Sequence, residues 1–345
     1  MVIDQMLDDI GGIGDLVQGK TVTIKLNLTG FPDRTVDGQA SWDTYQVHPD
    51  LVAAVCAAIS EAGATRIVLV ESSYTRGSIE EMMTKAGWDL ARIATAGDQK
   101  VTWEDTRYLG EWSAYSELSV PDGGDLFPAF WFNPRYEQTD VMVSIAKLKQ
   151  HEIAGITLSM KNMFGSVPIS VYGATSEDGV PVIDERCITN RSTKLHAGEL
   201  PPPAGVPQEI EGAGIPRLPA HRVPHIIADI VSARPVDLGI IDGIHTMRGG
   251  EGYWNAGVGY IEPGLLLAGR NGVCLDAVGV ASMGFDPMAA TSTVPFPGEN
   301  HLQILNDRGI GTNDLSEIEV IGLPLEEAVF PFAPRVSSPS MWILR

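Results

Sequence analysis

Lys147, Lys149 and His151 stand two residues apart at the end of a short apolar run, Val141-Met142-Val143-Ser144-Ile145, and Lys161-Asn162 follow within the same stretch, AKLKQHEIAGITLSMKNMFG. A short, β-branched apolar run reads as a buried strand, and the two-residue period of a strand puts Lys147, Lys149 and His151 on one face. Gathering cations at a buried position is costly unless an anion offsets them. In a chain of net charge −20 the cluster has no general electrostatic use, so it reads as a local site for a small anion. Lysines at close range depress one another's pKa, and burial adds to this. One amine can then be neutral near pH 7 and act as a base or an imine-forming nucleophile, while another holds a carboxylate or phosphate. His151 contributes a group that titrates in the useful range.

The same pattern recurs at other strand exits. TVTIKLNL carries Lys25 and Asn27 toward its end, RIVLV runs into Glu71 and Ser72, and VDLGIID exits at Asp242. Strands of a parallel sheet are near-continuous apolar runs, and polar residues gathered at their carboxyl ends are what a ligand crevice there requires. A polar loop with Trp42, Tyr45 and His48 follows the first strand.

Several elements must position these residues. Residues 2–17 have the spacing of a helix, residues 21–28 of a strand, and Pro49 opens a helix over 50–62 that Gly63 ends. A strand over 66–70 and a helix over 79–86 complete a β-loop-α repeat, which implies a parallel sheet with right-handed crossovers. The expected organisation is a first α/β lobe (1–97), an aromatic-rich insertion (98–138), a central strand with the cationic motif (139–165), and a proline-rich excursion or lid (166–223). A second α/β part (224–325) and an extended apolar tail (326–345) follow. The second part contains strands over 236–241, 265–268 and 317–321 and helices over 224–233 and 273–283. The fold class is α/β, a mostly parallel sheet flanked by helices, in two lobes with a cleft at the strand carboxyl ends.

Composition narrows the function. The 44 acidic against 24 basic side chains argue against a nucleic-acid partner or an anionic membrane surface. No apolar run reaches the roughly 18 residues of a membrane span, and the acidic start lacks the basic flank of a secretory leader, so a cytoplasmic location is expected. Cys56, Cys187 and Cys274 are widely spaced and supply neither a disulfide framework nor the ligands of an iron–sulfur cluster. There is no Walker sequence and no G-x-S-x-G elbow. His221 and His225 are four apart but interrupted by Pro224, which favours a helix start or surface pair over metal ligation. The apolar tail suits a groove of its own fold or a homo-oligomer contact.

The order IKLNL, VHPDLVAAVCAAISEAGATRIVLVESS, VSIAKLKQHEIAGITLSMKNMFG, LGIIDGIHTMRGGEGYW and LLLAGRNGVCLDAVGVASMGFDP closely resembles the large prokaryotic family called domain of unknown function 362. The likeness spans roughly residues 1–310, and its most specific pieces are Lys147-x-Lys149-x-His151 and the run Thr157 to Gly165. Many relatives carry a ferredoxin-like cysteine domain, whose cysteines this chain lacks, so no iron–sulfur cluster is expected. The resemblance implies a histidine after the KNMFG run, matched by His196, a polar turn between glycines, matched by Glu251, and an aspartate on a late helix, matched by Asp276. A fainter likeness in strand–helix order to the lactate racemase family, with lysine and histidine acid–base chemistry on a small hydroxy acid, is an analogy.

Together these readings give a catalytic set of Lys147, Lys149, His151, Lys161, His196 and Asp242, and a substrate-binding set of Lys25, Asn27, His48, Asn162 and Glu251. The expected function is an enzyme of isomerase or lyase type that moves a proton on a small anionic carboxylate or phosphate. One alternative is a divalent metal held among His151, His196, Asp242, His245 and Asp276. The other is a non-catalytic or redox-accessory binding protein.

Overall fold

The computed structural model describes residues 2–73, 77–186 and 191–332. Cys187 and the tail beyond Phe332, with the groove or oligomer contact expected of it, fall outside the described residues.

Six strands form the central sheet: β1 (Thr21–Lys25), β2 (Arg66–Glu71), β3 (Val101–Asp105), β4 (Val141–Lys147), β5 (Leu238–Gly243) and β6 (Leu265–Gly269). Their order is β6-β5-β4-β1-β2-β3. All neighbours pair in parallel except β6, which runs antiparallel to β5. The sheet is therefore mostly parallel and α/β, as the apolar runs imply. After β1 the chain lays β2 and β3 on one side, then returns to lay β4 on the other. At such a reversal the flanking connections diverge, and a crevice opens at the carboxyl ends of the two central strands.

The period of two divides the strand side chains between two cores. Ile67, Leu69, Val143 and Ile145 face α1 (Val2–Asp9) and α2 (Pro49–Glu61). Val68, Val70, Met142 and Ile241 face a second layer that contains α3 (Leu158–Asn162), α4 (Pro219–Ala233) and α5 (Gly272–Ser282). Helix α2 begins as its sequence dictates: Pro49 occupies the first turn, and the His48 ring Nδ1 accepts the amide of Asp50 at 3.1 Å.

Several boundaries differ from the sequence expectations. Helix α1 stops at Asp9 because Gly11 and Gly12 take φ of +93° and +73°, outside helical space. Strand β4 ends at Lys147, and the chain turns at once into a small hairpin, Gln150–His151 against Gly155–Ile156. Lys147, Lys149 and His151 are thus not on one strand face. The segment 98–138 contributes β3 to the sheet edge as well as a hairpin, Ser116–Ser119 against Ala129–Phe132. Residues 317–321 form no strand; only a single helical turn, Leu315–Glu317, is present there. Helix α4 begins at Pro219 and accommodates Pro224.

Candidate functional site

A cavity of about 390 Å³ opens at the carboxyl ends of the central strands. Lys25 and Asn27 reach it from the exit of β1, and Glu71 with Ser72 and Ser73 from the exit of β2. The segment after β4 supplies Lys149, His151, Thr157, Lys161, Asn162 and Phe164. Arg191 and His196 close one side, Glu251 and Trp254 another.

The cations at the strand ends fall into two kinds. Two are held in ion pairs. Lys25 Nζ lies 2.6 Å from Glu71 Oε1 and donates to the carbonyl of Leu26 at 2.7 Å. Glu71 in turn accepts the amides of Leu28 and Ser72, each at 2.8 Å, so this pair ties the β1 and β2 exits together. Lys147 Nζ donates to Asp242 Oδ2 at 2.9 Å and to the Trp42 carbonyl at 2.6 Å, and the same carboxylate oxygen accepts the His48 amide at 2.9 Å. Burial presses both lysines below the usual range, against the pull of their carboxylates. Lys147, Asp242 and His48 do not line the cavity. Their mutual saturation explains why: each polar end is used in joining β4, β5 and the 42–48 loop.

Helix α3 is fixed by unusual means. Leu158 holds φ of +40°, a conformation costly for a side-chain-bearing residue, and the buried Asp276 carboxylate receives the next two amides, Ser159 and Met160, at 2.8 Å each. Burial pushes Asp276 up to about 8 against these two bonds. Asn162 donates from Nδ2 to the carbonyl of Lys25 at 3.2 Å and to Ser144 Oγ at 3.0 Å, pinning the helix end between β1 and β4. A Cβ on Gly165 would lie 3.0 Å from Lys25 Nζ, so the glycine that ends the motif leaves room for the Lys25–Glu71 pair.

Helix α3 thereby presents Lys161 to the cavity. Its Nζ sits 4.5 Å from the Phe164 ring centroid and, among the described residues, has no hydrogen bond or ion pair. Burial, reinforced by Arg191 and Lys25 and opposed by Glu251, lowers Lys161 to about 8. His196 lies against the same aromatic ring, 5.2 Å between centroids. Burial, then Lys161 and His151, lowers His196 to about 3, so its imidazole is neutral at physiological pH. Lys149 is held well below the usual range, chiefly by burial, and donates to the carbonyls of Tyr45 at 2.6 Å and Glu251 at 2.8 Å. Arg191, lowered to about 10 by burial, spends Nε and Nη2 on Val167 and Ser72. The His151 ring accepts the amides of Ile153 and Ala154 at Nδ1, which leaves the neutral ring a donor at Nε2. Glu251 receives the Glu152 amide at 2.8 Å and the Trp254 indole at 3.0 Å, and so anchors the glycine-rich loop over the cavity.

The metal candidates are dispersed. His151 and His196 line the cavity, Asp242 is locked on Lys147, Asp276 caps α3, and His245 stacks on Tyr260 at 6.0 Å. Among the described residues no three His, Cys, Asp or Glu side chains form a metal-binding group. His221 shares a hydrogen bond with Glu299 and His225 one with Asp125. A larger groove of about 980 Å³ runs along α1, β6 and residues 317–328, and its walls carry neither lysine nor histidine. Among the described residues no helix is long and apolar enough to cross a membrane.

Residues 22–281 match the family model for the domain of unknown function DUF362. The chain belongs to the DUF362 family. No curated protein sequence matches it. Among solved structures it is similar to the lactate racemase apoprotein from Thermoanaerobacterium thermosaccharolyticum, with 15% identity and a TM-score of 0.37, over 75% of this chain and 48% of that one.

In this DUF362 chain the structure brings Lys25, Asn27, Lys149, His151, Lys161, Asn162, His196 and Glu251 to one cavity, and leaves Lys147, His48 and Asp242 behind its wall. Several wall residues were not in the sequence-derived site, the charged Glu71, Glu152 and Arg191 among them. Glu71 was visible as a strand-exit carboxylate. Arg191 was visible as a polar residue of the proline-rich excursion but had no role assigned, because its segment lacks periodicity and only tertiary packing returns it to the β2 exit.

Proposed function

We propose that the cavity binds a small anionic substrate, a carboxylate in the first instance, and moves a proton on it in a reaction of isomerase or lyase type. The observation that carries this reading is Lys161: an amine over the Phe164 ring with no hydrogen bond or ion pair among the described residues, set in a cavity beside a neutral histidine. Lys25, Lys149, Lys161 and Arg191 line the site against Glu71, Glu152 and Glu251, in a chain of net charge −20. Glu71 is matched by Lys25, and Glu251 is occupied by an amide and an indole, so the cationic groups dominate the field a ligand would meet.

In this reading Lys161 and Arg191 attract the anion, and His196 exchanges the proton. An amine near 8 changes protonation state close to neutral pH, which is the condition for general acid–base work, and the imidazole beside it is held in the neutral form that can accept a proton. Lys149, Asn162 and Glu251 position the walls. The test is incubation with a panel of small 2-hydroxy and 2-oxo acids in D₂O, with NMR detection of deuterium at carbon. Exchange lost in Lys161→Gln and in His196→Asn is expected. Absence of exchange across the panel, together with absence of any thermal stabilisation by those acids, would overturn the reading.

A further inference from the structure

We propose that Lys161 captures its substrate covalently, by condensing with a carbonyl adjacent to the carboxylate, so that the ligand class is a small 2-oxo acid. This rests on the reading of the cavity as an anion site and adds the identity of the reacting group.

The geometry separates Lys161 from every other cation in the cavity. Lys25 is bonded to Glu71 and to a backbone carbonyl. Lys149 gives two of its hydrogens to the carbonyls of Tyr45 and Glu251. Arg191 is tied to Val167 and Ser72. Those three groups already have the acceptors that hold a cation in place. Lys161, half-buried and open to the cavity, has an aromatic face beneath it and no acceptor among the described residues. An amine meant only to clamp an anion is best served by full charge, whereas burial of Lys161, with Arg191 and Lys25 acting against the pull of Glu251 and Glu71, favours the neutral, nucleophilic form. Its lowered pKa, about 8, agrees with that arrangement. The Asp276 and Asn162 bonds that fix α3 hold its Cα in place, so the amine needs little reorganisation to attack.

The step balances without an outside reagent. The Lys161 Nζ lone pair forms the C–N bond as the carbonyl π bond opens, and one amine proton passes to the carbonyl oxygen. Uptake of one further proton releases that oxygen as water and leaves a protonated imine. The imine draws electron density from the neighbouring C–H bond, and His196, neutral and packed on the same Phe164 ring, receives the proton. Arg191 faces the carboxylate.

The experiment uses the full chain with pyruvate and glyoxylate as probes and sodium cyanoborohydride as trap, read by intact mass and peptide mapping. One reduced adduct per chain, mapped to Lys161 and absent in Lys161→Arg, is expected, with the adduct still formed in His196→Asn but deuterium exchange at the carbon next to the carbonyl of pyruvate slowed at least tenfold there. Thermal unfolding of both variants without ligand checks that they are folded. Calorimetry with propionate, which has no carbonyl to trap, runs in parallel. Propionate binding without an adduct overturns the imine and leaves the anion site intact. Absence of both overturns the two together, and an adduct spread over surface lysines that persists in Lys161→Arg overturns the assignment to Lys161.

Discussion

Lys147 and Lys161 belong to one continuous motif, yet their surroundings are opposite. Lys147 is fully buried with a carboxylate at 2.9 Å and a carbonyl at 2.6 Å. Lys161 has an aromatic ring at 4.5 Å and open space. The first arrangement satisfies every charge it removes from water, so it serves to join two strand ends to a loop. The second leaves a charge to be satisfied, which is tolerable only where a ligand or solvent can reach it. The same residue type thus does structural work on one side of a hairpin and faces the cavity on the other.

The largest effect expected from breaking this contrast is at Lys147. Lys147→Ala leaves Asp242 buried without a counter-charge, and a loss of about 3–5 kcal/mol in unfolding free energy is expected from urea denaturation. Adding Asp242→Asn, which keeps an acceptor for the His48 amide, should recover a large part of it. A Lys147→Ala protein of wild-type stability would show that the pair is not the fastener described. Lys161→Gln is the counterpart. Its unfolding free energy should stay within about 1 kcal/mol of wild type, because only the contact of its amine with the Phe164 ring is lost. Proton exchange on the substrate should fall by roughly 10²-fold or more. Equal loss of stability in the two variants would erase the distinction between them.

A smaller effect is expected at Asp276. Its folded pKa, about 8, lies above the ordinary carboxylate value of about 3.9, so between these limits the folded chain keeps a proton that the unfolded chain has released. Its contribution to stability is therefore full at low pH and declines as pH rises through that window. Asp276→Asn should remove this decline from a series of urea midpoints across the same range, and an unchanged slope would exclude Asp276 as its source. The smallest effect separates two buried histidines. His301 has neither ring nitrogen partnered among the described residues and is lowered to about 3 by burial, while His196 borders the cavity. A histidine that stays neutral when folded destabilises the fold as pH drops below its unfolded value of about 6.5. His301→Leu should lessen the acid destabilisation and leave substrate exchange untouched, whereas His196→Asn should abolish exchange. Loss of exchange in His301→Leu would mean that the two are coupled.

Much of the architecture was legible because it depends on local pattern. The apolar runs at 21–25, 66–71, 141–147 and 238–243 form adjacent parallel strands, and their polar exits meet at one end of the sheet. Arg66–Glu71 was legible nearly residue for residue, since both faces of a central strand are buried and the run is apolar from Ile67 to Val70. Strand β3 was not, because an edge strand with exposed and half-buried positions, Val101-Thr102-Trp103-Glu104-Asp105, has no comparable signature. The turn after Lys147 was also hidden. Glycine 155 at φ of +81° permits the hairpin, but nothing in Lys147-Leu148-Lys149 announces that the strand has ended.

The sequence by itself determined the central strands of the sheet, the end of it where polar groups collect, and the identity of the cationic motif, because these follow from periodicity and burial over a few residues. Only the tertiary structure decided which cation is spent and which is open. That choice depends on carboxylates and carbonyls brought from Trp42, Glu71 and Asp242, far along the chain, and on Arg191 and His196, which return to the cavity from a segment without regular pattern. The chemistry of a lysine is set by what lies within a few ångströms of its nitrogen, and those neighbours are set by packing across the whole fold.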